Sequence, residues 1–436
     1  MRTISVTEHQ AIPREQLGRA ACRHLQRFDE QWAATAGKTI FDWSRRRSFK
    51  ARNWVGVVQV PGVTIEILPK IEGLRGDEAR RNLVYMLACC GKLPIRERGL
   101  AAMDVDRLPI LDTLIAIFTR RLLTELGRGV ERGYTGREEN AGFVRGKLLL
   151  GEHLRRNAIR HDRVYVRYSE FHANTVLNQI LKRTCRVLLT SVRGSAAGRD
   201  LRVAIHSFDD VSDIAVCAHH FDRVHLTRNS ERFATLLDFC RIILLEGSPT
   251  LRAGDRPSFS LLFPMERVFE QFITRFIRRH AAHFGIAASD VHAQARSQRH
   301  WLLRDAAGAG RFRLKPDLLV GSREQPRLIL DAKWKRLNRD DSRPGRISQP
   351  DVYQLHAYAT RYRCQDNILL FPRVPGAVSH TYVLDGDPLG RRIRVAFVDL
   401  ARDLRRDHTE LLDELRGILL TPEPHTAPTP DRDPSA

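Results

Sequence analysis

The chain has 436 residues, 42% of them hydrophobic, and a formal net charge of +21. Such a chain exceeds one ordinary core, so two or three domains are expected, and its cation excess suggests a polyanionic partner. Its apolar runs are too short to span a bilayer, residues 1–8 lack a signal-peptide pattern, and the seven cysteines are odd in number without a C-x-x-C pair. These features exclude a membrane protein and a disulfide scaffold, and predict reduced thiols in the cytoplasm.

Residues 1–100 read as a β-rich amino-terminal domain. Short apolar runs at 4–6, 54–60 and 63–68 predict strands, the last two joined by the turn dipeptide Pro61-Gly62. Helical spacing covers 14–36 and 77–90. Arg45-Arg46-Arg47 reads as a solvated loop. Gly37-Lys38-Thr39 imitates the end of a phosphate-binding loop, but Trp32 stands where the first glycine belongs and no strand leads into it.

Residues 101–255 read as a mainly helical middle region, with helices over 111–126 and 175–191 and glycines 127, 129 and 133 interrupting. Arg145, Lys147, Arg155, Arg156, Arg160, Arg163 and Arg167 crowd one segment with Tyr165 and Tyr168 interleaved. That cluster could track a phosphate backbone or face an acidic partner subunit. Cys217-Ala218-His219-His220 lacks a second ligand pair at zinc spacing, so a structural role is expected for it.

Residues 256–400 carry the chemistry. The spacing of Val268, Phe269, Phe272, Ile273, Phe276 and Ile277 predicts a helix over 263–283, with Glu266 and Glu270 one turn apart. Gly308-Ala309-Gly310 reads as a flexible turn. A strand over 311–320 contains Pro316-Asp317, and a turn at 321–326 leads to a second apolar run ending in Asp331-Ala332-Lys333. Period-two geometry sends the Asp331 and Lys333 side chains to one face. Two carboxylates at neighbouring strand positions are hard ligands suited to magnesium, with manganese able to substitute, and Lys333 can reach the attacking water or the scissile phosphate. Either Glu266 or Glu270 could complete the acidic cluster. A helix over 349–362 follows, carrying Asp351, Tyr353, Gln354 and Tyr358, and then a strand over 367–371 that stops at Pro372. Helix, strand, strand, helix, strand describes an α/β sandwich. Residues 401–420 read as a carboxy-terminal helix and the Pro-rich stretch 421–436 as a disordered tail. The fold class expected is thus α+β and multi-domain.

These blocks resemble the PD-(D/E)XK nuclease superfamily and, more closely, the McrC family, the nuclease subunits of McrBC modification-dependent restriction systems. Residues 263–272 resemble the family's first nuclease helix, with Glu270 at its acidic position. Pro316-Asp317 and Asp331-Ala332-Lys333 match the catalytic motif, and 351–359 resemble the following helix, with Gln354 in a supporting position. Residues 54–58 and 65–71 resemble the amino-terminal domain; so do 143–148 in the middle region, followed by Asn174 and Asn178. Trp334 departs from the pattern, which has tyrosine after the lysine. The resemblance implies an endonuclease that hydrolyses phosphodiester bonds of methylcytosine-containing foreign double-stranded DNA. Asp317, Asp331, Lys333, Glu270 and Gln354 would form the site, and Asp317, Asp331 and Glu270 would hold the metal. It also implies a partner, a hexameric McrB-like AAA+ GTPase that this chain docks onto through its amino-terminal part and stimulates, because the chain has no nucleotide-binding motif of its own. A stand-alone PD-(D/E)XK nuclease of DNA repair is the alternative.

Overall fold

The computed structural model describes residues 2–95, 97–100, 108–192, 196–246, 252–253, 256–293, 300–337, 347–406 and 408–420. The chain is of mixed α and β structure and divides into two compact units. One comprises Met1–Ile67 and Gly91–Leu262; the other comprises Leu68–Cys90 and Phe263–Ala436. The expected tail at 421–436 lies outside the described residues.

The first unit is built on a four-stranded sheet in the order Arg2–Thr7, Val63–Leu68, Trp54–Val60, Phe259–Pro264. Trp54–Val60 and Val63–Leu68 pair antiparallel, with Val60 opposite Val63 across the Pro61-Gly62 turn. A side chain at Gly56 would place Cβ 2.1 Å from the Leu261 carbonyl oxygen, so only glycine permits the edge strand to approach there. The helix Arg19–Ala36 lays Leu25, Phe28 and Trp32 into the core with Val58 and Ile65. The single helix expected over 14–36 is broken at Gly18, whose φ of +82° a helix cannot accommodate, into Arg14–Leu17 and Arg19–Ala36.

Farther along, Ile110–Leu126, Val176–Ser191, Ala196–His206 and Ala234–Arg241 are helices with buried apolar faces. The expectation of a mainly helical region needs correction between them. Gly133–Ala141, Val164–His172 and Lys147–Leu148 form a three-stranded sheet. Its small apolar core (Ala141, Val166, Tyr168) and its many charged residues hide the strand periodicity.

The second unit is built on a six-stranded sheet in the order Val291–Ala293, Leu318–Gly321, Pro326–Ala332, Asp366–Pro372, Arg392–Val398, His380–Val383. The two central pairings, Pro326–Ala332 with Asp366–Pro372 and Asp366–Pro372 with Arg392–Val398, are parallel. Their strands read as continuous apolar runs because both faces are buried. The helix Gln349–Tyr362 covers one face, where Leu355, Tyr358 and Tyr362 pack with Ile329, Leu369 and Phe371. The helix Met265–Arg279 follows the expected stripe.

Two further expectations change here. The helix Gly76–Cys89 sits early in the chain but packs with the late residues. Asn82 Nδ2 donates to the carbonyls of Leu400 (2.9 Å) and Arg402 (2.8 Å), and Arg81 pairs with Asp403 at 2.6 Å. The strand expected over 311–320 is two strands of different sheets. Gly310–Arg313 pairs with Trp301–Arg304 in a separate hairpin, and Leu318–Gly321 joins the main sheet. Pro316, with no N–H to donate, lies in the break.

Candidate active site

The site stands at the end of the two adjacent strands Leu318–Gly321 and Pro326–Ala332. Antiparallel pairing sets Leu318 opposite Leu330, so Asp317, one residue before its strand begins, falls beside Asp331 at the end of the other. The Ala332 N–H donates to Asp317 Oδ2 at 2.9 Å and fixes that carboxylate against the second strand. Beyond the strand, the Lys333 N–H donates to the Leu370 carbonyl at 2.8 Å, prolonging the parallel pairing and holding the lysine backbone in place.

Alternation brings Asp331 and Lys333 to the same side, as expected. Lys333 Nζ lies 2.6 Å from Asp331 Oδ2 and donates to Gln354 Oε1 at 3.1 Å. Gln354, on the covering helix, donates in turn to the Tyr358 hydroxyl at 2.6 Å. One turn earlier, Asp351 pairs with Lys335 at 2.6 Å. The ammonium is thereby oriented by a carboxylate and an amide whose own position is set by a phenol.

The carboxylates are buried: Asp317 is 8% exposed and Asp331 2%. Burial, followed by the negative charges of Asp331 and Glu270, pushes Asp317 up to about 8, against the Ala332 N–H and Lys333. Burial also raises Asp331, partly offset by Lys333. Glu270, on the helix Met265–Arg279, is pushed up to about 6, first by burial and then by Asp331 and Glu266, with Lys333 opposing. Burial pulls the Lys333 ammonium down, but the carboxylates of Asp331, Asp317 and Asp351 together turn the net shift upward. Glu266 is solvent-exposed whereas Glu270 is half-buried. Three carboxylates thus gather about Lys333 in a low-dielectric setting, where burial and like charge disfavour their ionised forms.

Asp317, Asp331, Lys333, Glu270 and Gln354 are therefore brought into one electrostatic neighbourhood. Arg145, Lys147, Arg155 and Arg156 belong to the other unit. There Arg145 lies over the Tyr168 ring at 4.2 Å, and Arg155 and Arg156 both pair with Glu152, at 2.8 and 2.9 Å. Cys217 caps the short helix Ala218–Asp222, and its thiol lies 3.1 Å from His219 Nδ1 and 3.3 Å from His220 Nδ1. Trp334 meets Phe269 with ring centroids 5.4 Å apart, a packing contact. Sequence reasoning placed Tyr358 on its helix but missed its part in the site; its signal was the i, i+4 spacing from Gln354.

A family model described as the McrBC 5-methylcytosine restriction system component matches residues 49–372, three-quarters of the chain. The chain belongs to the McrBC family. The family's Type IV methyl-directed restriction enzyme EcoKMcrBC of Escherichia coli K12 is 23% identical to it over 349 residues, 76% of this chain and 96% of that protein. Among solved structures, this McrBC-family chain is similar to one in the half-complex of a tetradecameric assembly of Thermococcus gammatolerans McrB AAA+ hexamers with bound McrC. The TM-score is 0.67 at 20% identity, covering 94% of this chain and all of the other. A chain of the T. gammatolerans McrBC complex aligns with TM-score 0.54 at 23% identity, over 64% of this chain and 88% of that one.

Proposed function

We propose that this chain is the nuclease subunit of a McrBC-type restriction complex, with residues 263–400 forming a PD-(D/E)XK domain that hydrolyses DNA phosphodiester bonds. The observation that carries the reading is the meeting of Asp317, Asp331 and Lys333 at two adjacent strand ends, with Gln354 holding the lysine. Structural ion pairs balance charge one to one, whereas here Asp317, Asp331 and Glu270 gather about Lys333, and Lys335 is already taken by Asp351. The donor set fits a small hard cation: oxygen ligands only, burial that raises their proton affinity, and a charge deficit that a divalent ion would fill. Asp317, Asp331 and Glu270 would hold magnesium, with manganese able to substitute. When bound, the ion supplies the charge that acidifies a water and stabilises the phosphate as negative charge builds on it. Lys333 donates from its fixed position to the attacking water or to a phosphate oxygen. Gln354 and Tyr358 keep it there.

The similarity to chains of McrB AAA+ hexamers with bound McrC supports a ring-shaped AAA+ GTPase as partner, since the chain carries no nucleotide-binding motif. The methyl-directed E. coli relative supports methylcytosine-containing DNA as substrate. No helix among the described residues is long and apolar enough to cross a membrane. All seven cysteines are free thiols, which suits a reducing cytoplasm.

The deciding experiment is cleavage of methylated plasmid by the chain with its partner GTPase, comparing wild type with Asp331→Ala in magnesium. The variant is expected to fold and to join the complex without cutting. Cutting at the wild-type rate would overturn the assignment. Loss of cleavage without the partner would support the complex, whereas full activity of the chain alone would favour a stand-alone nuclease.

A further inference from the structure

Among the described residues, Trp301–Arg304 and Gly310–Arg313 form a two-stranded sheet of their own. Two strands of this length do not normally hold a conformation unaided, yet this one is braced. Asp305 Oδ1 accepts from the N–H groups of Ala307 (3.1 Å) and Ala309 (2.8 Å), and its Oδ2 accepts from Arg311 Nε at 3.0 Å. Gly310 lies directly against the Trp301 ring, where a Cβ would be 2.3 Å from the indole. At the base, the Leu314 N–H donates to the His300 carbonyl at 2.9 Å, and the His300 ring packs against Tyr362 at 4.5 Å. The hairpin is thereby fixed to the helix that carries Gln354.

This rigid element presents apolar side chains to solvent. Phe312 is 71% exposed, Leu303 55% and Leu302 49%, and pairing of Trp301 with Arg313 and Leu303 with Arg311 sets Leu302 opposite Phe312. Phe312 also has a φ of +54°, a left-handed conformation that a bulky aromatic residue avoids unless its surroundings impose it. Arg304, Arg311, Arg313 and Lys315 flank these apolar groups in sequence, Arg311 pairing with Asp305, the acidic residue between 300 and 315. Phe312 lies five residue steps before Asp317, which limits their Cα separation to about 18 Å. At 3.4 Å per base step along the duplex axis, that reach is about five base pairs.

We infer that this hairpin is a DNA wedge: Phe312, backed by Leu302, enters the minor groove beside the cleaved phosphate and opens a base step, while the arginines contact the flanking phosphates. The inference rests on reading Asp317, Asp331 and Lys333 as a DNA-cleaving site. Apolar wedges ringed by cations are how proteins unstack and bend a duplex, and the charge selects nucleic acid over an apolar protein groove. The bend would carry the scissile phosphate toward Asp317 and Lys333.

The test uses the full chain with its partner GTPase, calcium in place of magnesium, and cleavable duplexes carrying 2-aminopurine at successive positions within about five base pairs of the mapped cut. Wild type and Lys333→Ala should both raise the fluorescence severalfold at one position. Phe312→Gly removes the ring and relaxes the left-handed backbone; it should abolish the rise and slow cleavage in magnesium at least tenfold without lowering Tm. Phe312→Trp should restore both. The wedge is overturned if no position responds in wild type, if Phe312→Gly retains the signal, or if that variant loses only the partner GTPase, which would make the hairpin a protein contact. The parent reading fails separately, if Asp331→Ala still cuts.

Discussion

Buried carboxylates occur in both units, and the two sets are treated differently. In the first unit Asp29 is 1% exposed and accepts from the N–H groups of Ile40 (2.6 Å) and Phe41 (3.3 Å) and from Trp43 Nε1 (2.7 Å). Glu66 accepts from the Ser5 hydroxyl and from the Ile110 N–H. Glu125 is met by Arg121 at 2.8 Å, Arg128 at 3.4 Å and Arg232 at 3.9 Å. Each of these three is an anion surrounded by donors supplied by its own unit. In the second unit Asp331 and Glu270 raise the proton affinity of Asp317, Asp331 raises that of Glu270, and Lys333 opposes all three shifts. Burial alone therefore does not mark a functional acid. What sets the second group apart is the crowding of several acids upon one another, whereas each first-unit acid stands alone among its own donors.

The largest effect expected from this contrast is on chemistry. Lys333→Arg keeps the charge but replaces a compact ammonium with a planar fork that cannot sit at one point between Asp331 and Gln354. Cleavage should fall by roughly a hundredfold or more, close to the loss for Lys333→Ala, while Tm changes little. Single-turnover cleavage of the two variants decides it: wild-type activity in the arginine variant would reduce Lys333 to a diffuse field.

The converse holds in the first unit. Asp29→Ala leaves two buried N–H donors and the half-buried Trp43 indole without their acceptor, at an expected cost of about 3 kcal/mol in stability. Asp331→Ala, which removes an acid from a crowded anionic site, should leave stability unchanged or raise it. Chemical denaturation of both variants without divalent cations checks the pair. Equal destabilisation would mean that the second set is as well compensated as the first.

Legibility in the sequence follows the same division. Asp317, Asp331 and Lys333 could be read because strand alternation and a short antiparallel connection place them by local rules alone. The strands at 54–60 and 63–68 and the helix at 349–362 were equally plain, since their apolar periods are unbroken. What escaped was set by distant partners. Nothing within 76–89 announces that Asn82 will bond the carbonyls of Leu400 and Arg402, so this helix was assigned to the residues around it in sequence. A truncation at residue 255, natural from the order of motifs, would remove the edge strand Phe259–Pro264 and strip that helix of its partners. The sheet containing Val164–His172 escaped because its charged residues pair across strands, Arg167 with Glu138 at 2.6 Å for example, which imitates a solvated surface.

The smallest effect, and the one most specific to the comparison, is on the pH dependence of stability. Asp317 rises from 3.8 to about 8 on folding and Glu270 from 4.5 to about 6, so the folded chain binds protons that the unfolded chain has released. Stability then falls as pH rises between those values, because ionising the acids in the folded state costs more than in the unfolded one. A divalent cation replaces the protons and removes the penalty. Its stabilisation should accordingly be small near pH 5, where it competes with bound protons, and larger near pH 8, where the site is anionic. Calcium titrations followed by thermal unfolding should show Tm rising by a few degrees at the higher pH and scarcely at the lower. Asp317→Asn should flatten both the pH slope and the calcium response, whereas Asp29→Asn should lower Tm at every pH and leave the calcium response intact. A calcium effect independent of pH, or one surviving in Asp317→Asn, would place the cation away from these carboxylates.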